Sequence, residues 1–214
     1  MIGQAPGGAQ ALSLNGAAVL VFVSASTAMA VRNSVAIERE IPREKPGLTI
    51  WLKALRVHQW MKNLLLFVPM LTAFSFSDPM DIANILVAFL AFSLTASATY
   101  VVNDLWDLES DRGHPRKSQR PFASARLPIL HGLAVAAVFL VSAFAMALAT
   151  SIGLFLILLV YLVLTSAYSW VLKEYVLMDV IMLSILYTLR IVAGAIAIEE
   201  TTSSWLLAFS VFVF

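Results

Sequence analysis

Five long apolar runs and the start of a sixth leave this chain essentially one way to fold. They cover residues 64–76, 82–102, 127–149, 152–172 and 176–198, and the sixth begins near residue 204. A bilayer core takes about 20 predominantly apolar residues per helix, because backbone polar groups inside it must be satisfied within the segment. The expected fold class is therefore all-α, a polytopic transmembrane helix bundle. Of the 214 residues, 60% are hydrophobic and only 13% charged, and a mean hydropathy of +0.87 excludes an ordinary soluble domain. No cysteine is present, which excludes thiol nucleophiles, Cys-ligated metals and disulfides. The sixth run is still apolar at Phe214, so the expectation is a fragment with about five and a half helices.

The net charge of +1 says less than where the charge lies. Connections near 77–81, 150–152 and 199–203 hold no Lys or Arg, whereas the alternate ones hold Arg112, Arg116, Lys117, Arg120, Arg126 and Lys173. Lys53, Arg56 and Lys62 flank the first run. The positive-inside rule then puts the 103–126 loop, the Lys173 turn and the approach to the first helix in the cytoplasm. The expected location is the plasma membrane, multi-pass, with no nucleic-acid partner.

Residues 1–50 read as an N-terminal extension and linker, with the transmembrane domain over 51–214. Within the extension, 16–31 is short, apolar and rich in Ala and Ser, consistent with a weak anchor, a buried strand or a helix. Residues 32–46 mix both charges with two prolines and read as a solvated connector.

One stretch departs from the apolar background. NDLWDLESDRGHPRKSQRP, residues 103–121, gathers four acids, one His and four basic residues between two apolar runs. If the helix persists through it, Asp104, Asp107 and Asp111 at i, i+3 and i+7 fall within an arc of about 60°. Three carboxylates sharing a face repel one another unless a divalent cation neutralises them. Hard oxygen ligands suit Mg²⁺, which is commonly completed by substrate phosphates. Gly113 and Pro115 end the helix, and Arg112, His114, Arg116, Lys117 and Arg120 then supply donors for phosphate oxygens. A solvated, positive-inside loop remains the plainer account of the basic residues.

Two further places carry polar residues into apolar surroundings. Before the first run, LRVHQWMKN sets Arg56, Gln59 and Asn63 on one helical face and His58 with Lys62 on another; interfacial anchoring by Trp51 and Trp60 explains the same residues. In the 176–198 run, Asp179 and Arg190 lie about 16 Å apart along a helix, too far to pair directly. Charge at that depth faces a bundle interior or an aqueous cavity. Arg190 reads as a contact for an anionic substrate or as half of an internal ion pair.

The residues so far resemble a known family. Asn103, Asp104, Asp107 and Asp111 match the first aspartate-rich motif, Asn-Asp-x-x-Asp-x-x-x-Asp, of the UbiA family of intramembrane prenyltransferases. The continuation Asp-Arg-x-His-Pro-x-Lys-x-x-Arg-Pro, with HQWMKN before the first run and YSWVLK ahead of the fifth, resembles its decaprenyl-phosphate phosphoribosyltransferase branch over about 51–214.

That resemblance implies a nine-helix bundle with a cytoplasm-facing polar cavity. It also implies Mg²⁺-dependent transfer of a phosphoribosyl group from 5-phosphoribose 1-diphosphate to a polyprenyl phosphate. Asn103, Asp104, Asp107 and Asp111 would carry metal and diphosphate, with the aspartates catalytic. Lys62, Arg112, Lys117, Arg120 and Lys173 would contact phosphates, and Asn63 and Tyr168 would line the cavity. No second acid stands four residues after Asp179, where Leu183 is found, so this segment lacks an Asp-x-x-x-Asp motif. The alternatives are transfer from a prenyl diphosphate to an aromatic ring and, outside enzymes, a transporter using Asp179 and Arg190.

Overall fold

The computed structural model of the chain describes residues 3–5, 9–14, 17–21, 47–170, 176–200, 205 and 207–208. Two compact units emerge, Met1–Arg43 and Glu44–Phe214. The first carries three short strands, β1 (Gly3–Ala5), β2 (Ala9–Leu14) and β3 (Ala17–Val21), in an antiparallel meander with Gly3 opposite Ala11 and Leu14 opposite Ala17. Of the readings open for 16–31, residues 17–21 adopt the strand. The rest of that stretch and the 32–46 linker lie outside the described residues, as does most of the run from 204.

The second unit is built from helices: α1 (Leu48–Ala54), a 3₁₀ helix (Val57–Phe67), α2 (Val68–Ala73), α3 (Pro79–Trp106), α4 (Leu108–Gly113), a 3₁₀ turn (Lys117–Gln119), α5 (Ile129–Thr150), α6 (Ile152–Trp170) and α7 (Val176–Ala197). Four of them, α3, α5, α6 and α7, contain stretches long and apolar enough to cross a membrane. The protein is a multi-pass integral membrane protein. Asp78 caps α3 by accepting the Met80 N–H at 2.8 Å, with Pro79 in the first turn. Its 28 residues span about 42 Å against a hydrocarbon core of about 30 Å. The helix is therefore longer than a hydrocarbon core requires.

The first expected span, 64–76, is different. Its beginning belongs to the 3₁₀ helix and its middle to six-residue α2, which ends where Phe74 turns left-handed at φ 56°. Eleven residues of 3₁₀ helix are unusual. Each 3₁₀ residue advances about 2.0 Å rather than 1.5 Å, so three residues of this helix climb as far as four of an α-helix. That match is used against α3: Trp60 donates to Ser97 Oγ at 3.0 Å, and Asn63, three residues on, donates to Ser93 Oγ at 3.0 Å, four residues back. The α-helical grouping of Arg56, Gln59 and Asn63 on one face gives way to a row of Val57, Trp60, Asn63 and Leu66.

Packing inverts the pattern of a soluble bundle. The buried residues of α3 are largely small, including Ala88, Ala91, Ser93, Ala96, Ser97 and Ala98, and those of α5, which packs against it, are Gly132, Ala136, Ala143 and Ala147. Large apolar side chains such as Leu133, Val141, Leu156 and Val163 stay exposed. Small residues bring backbones close where lipid, not water, is the alternative neighbour. One close approach is between α7 and the 3₁₀ helix, where a Cβ on Gly194 would collide with the Leu66 carbonyl oxygen.

Because that neighbour is backbone, Gly194→Ala is expected to force the two helices apart and to destabilise the chain by about 1–3 kcal/mol. Gly47→Ala, with nothing within 4 Å, should leave unfolding unchanged. Unfolding midpoints in detergent micelles check both.

Candidate active site

The end of α3 turns its aspartates inward. Asp107, half-buried, sits at the junction with α4, and the hydrogen bonds Asp107 N–H to Asn103 O and Asp111 N–H to Asp107 O, at 3.0 and 2.8 Å, carry the helical repeat across it. Asp104 and Asp111 are thereby placed two turns apart on one side, 2% and 0% exposed. A buried carboxylate without a partner costs several kcal/mol, and here cations meet it. Arg120 Nη1 donates to Asp111 Oδ2 at 2.6 Å and to Asp104 Oδ1 at 3.2 Å, and Arg56 Nη2 donates to the same Asp104 oxygen at 2.7 Å. Lys117 Nζ stands 4.0 Å from Asp111 Oδ1, an oxygen that has no hydrogen-bond partner.

Local structure explains how those cations arrive. After Gly113 ends α4, His114 turns extended and its Nδ1 accepts the N–H groups of Arg116 and Lys117 at 3.2 and 3.4 Å. His114 thus folds the loop back instead of offering that nitrogen to a phosphate. Ser124 Oγ donates to the Arg120 carbonyl at 2.7 Å and fixes the backbone from which the guanidinium reaches inward. On the other side, Arg56 adopts a left-handed conformation at φ 49° between α1 and the 3₁₀ helix, with its guanidinium 4.7 Å from the Tyr100 ring centre. Backbone strain of this kind persists where surrounding contacts over-determine it.

Deeper in the bundle a second polar group forms around Arg190. Its Nε donates to Asn63 Oδ1 at 2.9 Å, its Nη2 to the Tyr161 hydroxyl at 3.1 Å and its Nη1 to the Leu186 carbonyl. The rings of Tyr161 and Tyr187 lie 5.0 and 5.5 Å from the guanidinium carbon. Among the described residues the groups that meet Arg190 are all neutral.

Asn63 belongs to that network, buried at 1%, and so stands with Arg190. Asn103 lines a cleft of about 160 Å³ between α3, α5 and α6, beside Thr99, Leu140, Ser166 and Ser169. Tyr168 is half-buried on α6, Lys62, Arg112 and Lys117 are exposed, and Lys173 and the side chain of Asp179 lie outside the described residues. Among the described residues no three His, Asp or Glu side chains converge as a ready-made metal cage. The sequence reading missed Arg56 as the partner of Asp104, because a basic residue ahead of a membrane segment already satisfies topology. Ser93 and Ser97 did leave a signal, two hydroxyls four residues apart in an apolar run.

Comparison with known proteins bears on this arrangement. The model of the UbiA prenyltransferase family matches residues 64–214. Uncharacterized protein y4nM of Sinorhizobium fredii is 37% identical over 91% of this chain and 40% of its own length. A decaprenyl-phosphate phosphoribosyltransferase of Mycobacterium tuberculosis is 36% identical over 75% of this chain and 55% of its own length. The chain thus spans about half the length of these relatives. Among solved structures, a UbiA homolog from Archaeoglobus fulgidus bound to DMAPP and Mg²⁺ superposes with a TM-score of 0.62 at 22% identity, over 76% of this chain and 59% of that one; this likeness speaks for the fold.

Asn63 joins Arg190 to Ser93, so Asn63→Leu is expected to strand a buried guanidinium N–H and to lower stability by about 1–3 kcal/mol. Ser93→Ala removes a single neutral hydrogen bond and should cost about 1 kcal/mol or less. Chemical unfolding in micelles distinguishes the two.

Proposed function

The chain belongs to the UbiA prenyltransferase family, and from that premise we propose that it is part of a transferase moving a phosphoribosyl group from 5-phosphoribose 1-diphosphate to a polyprenyl phosphate. The observation that carries the reading is the meeting of Asp104 and Asp111 with Arg120, Arg56 and Lys117 at the end of α3. Acids for a metal ion and bases for phosphates stand together there. The sugar donor brings a 5-phosphate beside its diphosphate, and exposed Arg112, Arg116 and Lys117 give it additional cations. The Mycobacterium tuberculosis relative supports this donor over a prenyl diphosphate.

Donor cleavage breaks the bond between ribose C1 and the diphosphate oxygen, through a state with positive charge on the sugar. The acceptor phosphate oxygen forms the new bond to C1. Charge then collects on the departing diphosphate, and Arg120 and Lys117 are placed to take it up by charge-assisted hydrogen bonds. A lipid phosphate is ionised at neutral pH and needs no strong general base. Bound Mg²⁺ would neutralise the diphosphate as a Lewis acid. The unpartnered, buried Asp111 Oδ1 and the convergence of two carboxylates suit such a cation; Asp104 and Asp111 would hold it, with Asp107 and Asn103 as further donors.

Arg190 with Asn63 belongs to the same reading as a contact for an anionic group within the bundle, and Tyr168 as a residue lining the cavity. Lys62 and Lys173 are further candidate phosphate contacts. We place the active side toward the cytoplasm of the plasma membrane on the distribution of Lys and Arg.

Asp104→Ala is expected to lower phosphoribosyl transfer by about 10²-fold or more, as removal of a group that stabilises developing charge does. The measurement is label entering the lipid phase from phosphoribosyl diphosphate in membranes containing the full-length protein, Mg²⁺ and a polyprenyl phosphate. Transfer that instead required a prenyl diphosphate and an aromatic acid would overturn the donor.

A further inference from the structure

Arg120 holds a position that a metal ion would need. Its Nη1 is 2.6 Å from Asp111 Oδ2 and 3.2 Å from Asp104 Oδ1, so one guanidinium nitrogen stands where both carboxylates point. A Mg²⁺ ion bound by those oxygens sits about 2.0–2.1 Å from each, and the nitrogen cannot remain beside it. Charge leads to the same conclusion. Asp104 and Asp111 carry two negative charges, Arg56 and Arg120 two positive ones, and all are in hydrogen-bonding contact. Each carboxylate is thus already matched by a guanidinium, with Lys117 a further cation at 4.0 Å from Asp111.

A bare divalent cation entering this cluster must displace a guanidinium from buried carboxylates, and the guanidinium, 26% exposed, exchanges a charged acceptor for water. A diphosphate arriving with the cation changes that balance, because its oxygens accept the hydrogen bonds that Arg120 gives up. The movement required is small. The Arg120 backbone is held by Ser124, so the exchange is a swing of the side chain.

We propose that Arg120 is a built-in stand-in for the metal, which makes the site take a divalent cation and a diphosphate together, not the cation first. The proposal rests on the metal–diphosphate reading given above. It adds a role for Arg120 before any substrate binds: suppressing occupation by a metal ion that has no diphosphate.

The test is retention of radioactive manganese by the chain in lipid nanodiscs, with and without inorganic pyrophosphate, and of labelled pyrophosphate with and without manganese. An adjacent cation shifts a carboxylate's affinity for a proton by about 10- to 1000-fold. Wild type is accordingly expected to hold manganese at least about tenfold more tightly when pyrophosphate is present. Arg120→Gln should hold manganese alone about tenfold more tightly than wild type and lose most of the pyrophosphate dependence, while Arg120→Lys, which keeps the charge, should behave as wild type toward manganese alone. Equal manganese retention by wild type with and without pyrophosphate overturns the proposal, and so does an Arg120→Gln protein that retains manganese as wild type does. If Arg120→Gln does not fold, the wild-type comparison decides alone. Wild type that retains neither manganese nor pyrophosphate under any condition sinks the metal–diphosphate reading itself, a result separate from tight but pyrophosphate-independent manganese binding.

Discussion

Charge removed from water must find a partner, and the bridge from Arg120 to Asp104 and Asp111 is where this bundle meets that demand most severely. The bridge determines much of its surroundings. It needs the helical repeat to continue past Asp107, so that Asp111 comes round to the side of Asp104. It needs the chain to reverse after Gly113, which His114 achieves by accepting two backbone N–H groups. It also accounts for the left-handed Arg56, whose ion pair with Asp104 and contact with Tyr100 hold a backbone conformation that few residues other than glycine adopt.

Arg190 meets the same demand by other means. Its guanidinium is surrounded by an amide oxygen, a hydroxyl, a backbone carbonyl and two aromatic faces. Such groups satisfy hydrogen bonds and offer a π-face to the cation. Among the described residues the two clusters therefore differ in kind: one joins opposite charges, the other surrounds a cation with neutral groups.

The membrane class, the four long spans and a shared side for Asp104 and Asp111 were legible in the sequence, because apolar length and a seven-residue spacing of acids are strong signals. The 3₁₀ helix was not. Apolar and polar residues at 57–67 fit an α-helical wheel as readily, and the tighter winding is imposed by what it packs against, which no local pattern reveals. Gly194 illustrates the same limit: within an apolar run it reads as an ordinary small residue, and only the Leu66 carbonyl shows why no side chain fits. The Arg120 loop was half legible, since its charges and its break at Gly113 could be seen, but the sequence cannot say that His114 serves the loop and Arg120 the carboxylates.

One stripe of α3 links these features. Ser93, Ser97 and Asp104 are separated by four and seven residues, intervals that return to nearly the same face of an α-helix and cover about 16 Å. Along it lie the Asn63 amide and behind it Arg190, then the Trp60 indole, then Arg56 and finally Arg120. The face of α3 turned toward the 3₁₀ helix is thus selected by polarity, whereas its large apolar residues Leu86 and Leu90 are exposed. A 3₁₀ helix is suited to line such a stripe, because its three-residue step keeps pace with the four-residue step of α3 and each rung finds its partner in turn. The unusual winding and the polar stripe are two sides of one geometric match, and the carboxylate bridge stands where that match ends and the loop takes over.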